Sequence, residues 1–338
     1  MKERSDVAVN GEQGIAPSGK LAPETLEKAV LAYGGAKRKE VLVGPGVGED
    51  AAVIDWPGGK YLVVASDPIV GASSGAGKLL VTVNSNDIAS KGADPAFLIS
   101  TLIFPAGTTP EEVSLVVQEI HEACLDGGIS VVGGHTEINE KYDHPVLCAT
   151  MIGMADRVIS AVDVRPGDAV IMTKHVGIEG MCILAGDCRH YIRRCLGEKD
   201  VDEVLGWSSL LDVLPESRIL RKWASFMHDP TEGGFLGGLG EICRLSGFGI
   251  DLDLESIEIH PLTRHCAKCL GFDPLRLISS GVLVAVMPDE HVDEAMVSLE
   301  KAGIESAIVG RVTEGPGSVG TYTGEELWRL LEESCRWK

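Results

Sequence analysis

Short apolar runs alternate with longer amphipathic ones along nearly the whole chain, and this alternation limits the possible folds more than any other feature. "EVLVGPGVGEDAAVIDW" and "KYLVVASD" read as two strands around a glycine-rich turn, after a first helix over "APETLEKAVLAYGGAK". "AGKLLVTVNSNDIASKGA" carries the helical period and sets Asn84, Asp87 and Lys91 along one side. A buried strand ("PAFLISTLIFP"), a helix N-capped by Thr109 ("TPEEVSLVVQEIHEACLDGG"), a short strand ("ISVVGG") and another strand ("PVLCATMIGMA") complete the first half. The second half mixes the strands "AVIMTK", "GVLVAVMP" and "AIVGRVT" with helices over "VDEVLGWSSLLDVL", "PESRILRKWASF", "GGFLGGLGEICRLSG" and "HVDEAMVSLEKAG". Such a pattern predicts α/β or α+β layers, not a bundle or a sandwich.

At 338 residues the chain is long for one core and comfortable for two. The turn "VRPGDAV" at 164–170 reads as the junction, which gives a first domain over 21–164 and a second over 165–338. Residues 1–20 are polar and are expected to be disordered. With 30 basic against 50 acidic residues the net charge is −20, which argues against nucleic acid or an anionic membrane as partner. No leader and no apolar run of about 18 residues stands out, and the nine cysteines follow no framework spacing. The expectation is a cytoplasmic protein with mostly reduced thiols.

Two phosphate motifs fail on inspection. "GASSGAGKLL" has Ala72 where a P-loop needs glycine and Leu79 where it needs a hydroxyl; "GPGVGE" has Glu49 where the dinucleotide fingerprint needs its third glycine. What recurs instead is a carboxylate beside a small or turn-forming residue: Glu49-Asp50 in "GEDAAV", Asp67 in "ASDPI", Asp87 in "NSNDIAS", Glu137 in "GGHTEI" and Asp229 in "MHDPTEGG". Each one alone is an ordinary turn or cap residue. Together they suit a divalent ion, because Mg²⁺ takes oxygen ligands and bridges carboxylates to substrate phosphates.

The motifs "GPGVGEDAAVI", "VTVNSNDIASKGADP", "GGHTE", "RPGDAVIMTKHVGIEG", "HDPTEGG" and "DPLRLISSGVLVAVMP", in that order, resemble the aminoimidazole ribonucleotide synthetase (PurM-like) superfamily over roughly residues 20–320. "DPLRLISSG" and "GRVTEGPG" look most like its HypE branch of hydrogenase maturation factors. The resemblance implies a two-domain α/β subunit whose first domain forms a β-barrel with a second copy in a homodimer, and an enzyme that uses ATP and Mg²⁺ to phosphorylate an amide-type oxygen or another nucleophile. Carried over residue by residue, it puts the metal on Asp50, Asp67, Asp87 and Asp229. The nucleotide falls against Gly48, Asn84, Asn86, Asp87, Lys91, Gly133, Gly134, Thr136 and Thr231. His135, Glu137 and Asp229 become the candidate catalytic groups, with His228 a further candidate base and Lys37, Arg38 and Lys174 further candidate cations.

The chain departs from that pattern in two places. "GGHTE" stands where HypE proteins carry Gly-Asp-Thr-Lys, so His135 and Glu137 replace an acid and a lysine; His135 instead resembles the Gly-Gly-His-Ser loop of selenophosphate synthetases. HypE proteins close on Pro-Arg-Ile-Cys, whose thiol carries the carbamoyl group, whereas this sequence reads "EESCRWK" around Cys335. The substrate, a small molecule or a protein tail, is therefore left open, as is another maturation factor as partner. So are two other readings: an ATP-binding scaffold without chemistry, and a small-molecule kinase resembling thiamine-monophosphate kinase. Cys266-x-x-Cys269, near His260 and His265, lacks the second pair a zinc site needs and is expected on an amphipathic helix. Cys182, Cys188 and Cys195 are expected as core or helix-face thiols.

Overall fold

The computed structural model describes residues 22–33, 35–70, 75–319 and 324–336, so the disorder expected for 1–20 and the Ala72 position of the rejected P-loop lie outside the described residues. The strands are β1 (Val41–Val43), β2 (Ala52–Trp56), β3 (Lys60–Val70), β4 (Asp94–Pro105), β5 (Ser130–Asn139), β6 (Val146–Ala155), β7 (Ala169–Thr173), β8 (Phe226–His228), β9 (Gly249–Leu252), β10 (Val284–Met287) and β11 (Ser306–Thr313). The helices are α1 (Pro23–Ala29), α2 (Ala76–Ser90), α3 (Pro110–Gly127), α4 (Ile178–Asp187), α5 (Arg189–Ile192), α6 (Glu198–Gly206), α7 (Leu214–Leu220), α8 (Gly234–Ser246), α9 (Pro261–Leu270), α10 (Val292–Lys301) and α11 (Glu326–Cys335).

The strands form two sheets, ordered β1-β2-β3-β6-β4-β5 and β8-β10-β7-β11-β9. In the first sheet only β4 and β5 run parallel, joined by α3. That helix starts as the sequence predicts: the Thr109 side chain accepts from Glu112 N, and Glu112 answers the Thr109 N–H, a capping box. The burial of β6 alternates residue by residue because α2 and α3 cover one face of the sheet. Leu80 and Ile88 of α2 are fully buried there, each contributing roughly 1.5–3 kcal/mol by leaving water. The other face is uncovered, and Phe97 and Ile99 of β4 remain exposed on it. β3 runs past β2 and from Ala65 onward pairs only with β6, so Pro68 sits where a missing N–H costs nothing.

The last turn of α2 leaves the first core and enters the second: Ala89 packs with Ile171, Val213, Leu220 and Met227. Asn86 fixes that crossing, donating to Leu211 O at 2.8 Å and accepting from Val213 N at 3.1 Å. One helix thus spans the seam between the two sheets.

Several elements differ from the sequence reading. The short strand expected over "ISVVGG" runs on through "GGHTE", which forms the second half of β5 and pairs with β4. β8 and β9 were not anticipated, since three or four residues show no readable period, and β8 is held between β10 and the seam. The helix expected over 201–214 breaks at Gly206 into a 3₁₀ turn, Trp207–Leu210, which buries Trp207. Cys195 is not a free thiol but is bonded to Cys269, across 74 residues, where the end of α9 meets the segment after α5. His265 of α9 reinforces that contact, its Nε2 lying 3.0 Å from Cys195 O.

Candidate functional site

The carboxylate pair in "GVGEDAAV" divides between two partners. Gly48 has φ +82°, and a Cβ there would lie 2.7 Å from the Glu241 Cβ, so only glycine lets this loop rest on α8. The two residues that follow then face across the seam. Glu49 Oε2 lies 2.5 Å from Lys91 Nζ, whose side chain is fully buried with its ammonium 4.7 Å from the Phe226 ring centre. Asp50 meets His228, at the end of β8, with its oxygens 2.8 and 2.9 Å from Nδ1. The other ring nitrogen, Nε2, lies 2.9 Å from Glu241 Oε2.

Burial works against a charge on His228, but Asp50 and then Glu241 outweigh it and push the imidazole up to about 10. Burial likewise opposes ionisation of Asp50, yet His228, then Lys91 and Ser90, hold it below its ordinary value. Asp229 follows His228 directly and is buried. One ligand atom each from Asp50, His228 and Asp229 lie within 4.8 Å of one another. With carboxylates at both nitrogens holding its pKa up, His228 is placed to serve these acids as a countercharge. The Asp50 and Asp229 oxygens suit a hard divalent ion, the donor chemistry Mg²⁺ takes.

Asp67 and Asp87 are both tied to α2, the helix whose last turn borders this centre. Asn84 Oδ1 accepts from Asp67 N at 2.9 Å and its Nδ2 donates to Asp67 O at 3.2 Å, so the amide imitates a strand partner and fixes Asp67 on β3. Asp87 is buried one turn on, where the Ser90 Oγ donates to Asp87 O at 2.7 Å, and Ser90 also lies beside Asp50 and helps hold it ionised. Along the helix Asn84 and Ser90 are separated by about 9 Å. Thr231 lies in the turn after Asp229, where its carbonyl accepts from Gly234 N. That turn is clamped by Glu325, which accepts from Gly233 N, Ile278 N and Leu327 N.

Other predicted residues lie apart. Register puts Asp67, Ala149, Ser100 and Gly134 on one row, so β5 stands three strands from Asp67, about 14 Å away. There Gly133, Gly134, His135 and Thr136 are exposed; His135 Nε2 lies 3.2 Å from Glu137 Oε2, and Asn139 donates to Glu137 Oε1 at 3.0 Å. Within one chain this set does not join the seam. Lys91, expected against the nucleotide, is buried on Glu49, because the apolar seam admits its ammonium only with a paired carboxylate. Lys174 is likewise spoken for, by Glu216 Oε1 at 2.6 Å and the carbonyls of Leu210 and Asp212. Arg38 pairs with Glu40 on the surface, and Lys37 is exposed. Glu241 and Glu325 escaped the sequence reading, since each looks like an ordinary helix or cap residue.

Comparison with known proteins agrees with this architecture. The N-terminal domain model of AIR synthase related protein matches residues 48–155, and the C-terminal domain model matches residues 165–323. The carbamoyl dehydratase HypE of Azotobacter vinelandii is 30% identical over 311 residues, covering 83% of this chain and 87% of its own. A HypE–HypF complex superposes with a TM-score of 0.67 at 22% identity, covering 82% of this chain and 94% of that one. AaThiL complexed with AMPPCP and TMP superposes at 0.69 and 17% identity, covering 82% and 90%. At those identities both structures speak to the fold, which is PurM-like.

Proposed function

The chain is an enzyme of the AIR synthase related protein family, and we propose that it uses ATP with Mg²⁺ to phosphorylate an amide-type oxygen or another nucleophile at the seam between its two sheets. The observation that carries this reading is the meeting of Asp50 from the first sheet's loop with Asp229 from the second sheet, around a charged His228. Asp50 and Asp229 would hold the ion, with Asp87 on α2 and Asp67 on the β3 segment that Asn84 of α2 holds facing the rest of the triphosphate. When bound, Mg²⁺ supplies charge neutralisation for the transferred phosphoryl group. His228 and Lys91 keep the carboxylates ionised in a buried place, and Asn84 and Asn86 hold α2 in register with both sheets. Gly48, Thr231 and the Gly133–Thr136 stretch complete the proposed nucleotide surface, the last from a partner subunit.

That partner is part of the proposal. β5 is an edge strand with Val131 and Val132 exposed, next to Phe97 and Ile99 on the uncovered face. A second copy closing this face into a barrel would cover them and bring His135 and Glu137 toward the other chain's site. We take the domain border between residues 164 and 165, where the first sheet has ended and β7 has not begun. We also propose a cytoplasmic location, with the Cys195–Cys269 bond the exception among otherwise free thiols in the described residues. Among the described residues no helix is long and apolar enough to cross a membrane.

HypE-type hydrogenase maturation, with a partner factor such as the one in the HypE–HypF complex, is the named activity nearest to this reading. It meets one obstacle in the described residues. Cys335 ends α11, and that helix is tied down: Tyr191 Oη donates to Glu333 at 2.8 Å, and the Ser334 hydroxyl lies 3.1 Å from Cys188 Sγ. We therefore propose that the nucleophile is not Cys335. Mg²⁺-dependent phosphate release from ATP tests the whole reading. Asp87→Asn is expected to abolish it with circular dichroism unchanged, and unaltered turnover in that variant would reject the proposal.

A further inference from the structure

The seam holds a second feature that the acidic centre does not use. A groove of about 360 Å³ lies between the first half of α2 on one side and α4, Leu205 of α6 and the Trp207–Leu210 turn on the other. Leu79, Ile183 and Leu205 form its apolar wall. Glu179, in the first turn of α4, lines the groove although only 7% exposed, and the Ser280 hydroxyl donates to its Oε2. The remaining acidic and basic side chains in the lining are Asp187 and Lys78, both exposed. Carboxylates thus outnumber the ammonium group. A buried carboxylate in an apolar wall repels a carboxylate or phosphate and rewards a ligand that brings N–H donors.

α2 sets the relation of this groove to the acidic centre. Thr82 lines it, Asn86 continues the same stripe one turn on and bonds the carbonyl of Leu211, another lining residue, and Ser90 reaches Asp50. From Thr82 to Ser90 the helix rises about 12 Å. The groove and the acidic centre thus lie along one helix, about 12 Å apart.

We infer that this groove seats the substrate, and that the substrate is a small aliphatic amine or carboxamide whose apolar body packs on Leu79, Ile183 and Leu205 while its N–H group meets Glu179. The role given to the ligand rests on the ATP-dependent reading above; its binding rests on the groove alone. The test uses isoamylamine, isovaleramide and isovalerate as probes of one shape and three head groups, added to the wild-type chain with labelled Ile and Leu methyls. The amine and the amide are expected to shift the Ile183 and Leu205 methyl resonances, and isovalerate to leave them in place. Glu179→Gln is expected to weaken isoamylamine binding at least tenfold while leaving Mg²⁺-AMPPCP affinity unchanged. Isovalerate binding as tightly as the amine, or none of the probes moving these methyls, overturns the inference; the wild-type contrast decides even if the variant folds poorly. A chain that binds the amine but no nucleotide keeps this inference and removes the ATP reading, and the reverse outcome removes this inference alone.

Discussion

His228 and His175 are both buried, at 2% and 7% exposure, yet their surroundings drive them to opposite charge states. His175 packs edge-on against Trp207, with ring centres 4.7 Å apart, and lies 5.2 Å from the ring of His260. Burial, and next the neighbouring His260, pushes it down to about 4. His228 is desolvated as well, but carboxylates on both of its nitrogens push it up to about 10. Burial alone neutralises an imidazole; only opposed charges at hydrogen-bond distance reverse the sign. One histidine is therefore packing, and the other, favoured as a cation by its two carboxylates, lets acidic residues from two sheets share a buried seam.

Removing that cation is the hardest test of the contrast. His228→Asn leaves Asp50 and Glu241 facing each other without a countercharge and should cost about 3–5 kcal/mol in denaturant unfolding. A cost near zero would make the triad ornamental. Next in size is the acid response. Because the His175 value in the folded chain, about 4, lies below the ordinary 6.5, the unfolded chain binds the extra proton between those values. Its contribution is intact above pH 6.5 and is lost as pH falls toward 4, by up to about 3 kcal/mol. His175→Gln should flatten that slope. The contribution of His228 has the opposite sign: it is present below pH 6.5 and lost as pH rises through about 10, so this variant should leave the alkaline limb unchanged. Smaller still, Glu241→Gln should cost about 1 kcal/mol and move the alkaline limb to lower pH. Glu137→Gln, on the exposed strand, should leave the unfolding midpoint where it is. Equal effects from the last two would erase the distinction between seam and edge.

The two-layer mixed architecture and the residues that announce it were legible in the sequence. Apolar period and capping fixed α2, α3 and the long strands, and Asp50 and Asp229 stood out through their glycine and proline neighbours. What they touch was not legible. Asp50 meets His228 across 178 residues, and Glu241 sits in an amphipathic helix where a glutamate is unremarkable. The side of the sheet on which "GGHTE" falls depends on β4–β5 pairing, which local composition does not encode. Lys91 read as a nucleotide contact because its burial on Glu49 is imposed by α2 entering the second core.

The central claim is that Asp50 and Asp229 together hold the ion that carries the nucleotide. Isothermal titration of AMPPCP into wild-type and Asp229→Asn chains, each with and without Mg²⁺, addresses it directly. The account predicts tight wild-type binding only with Mg²⁺, and a loss of on the order of a hundredfold or more in the variant. Equal affinity in both chains, or wild-type binding indifferent to Mg²⁺, would contradict it.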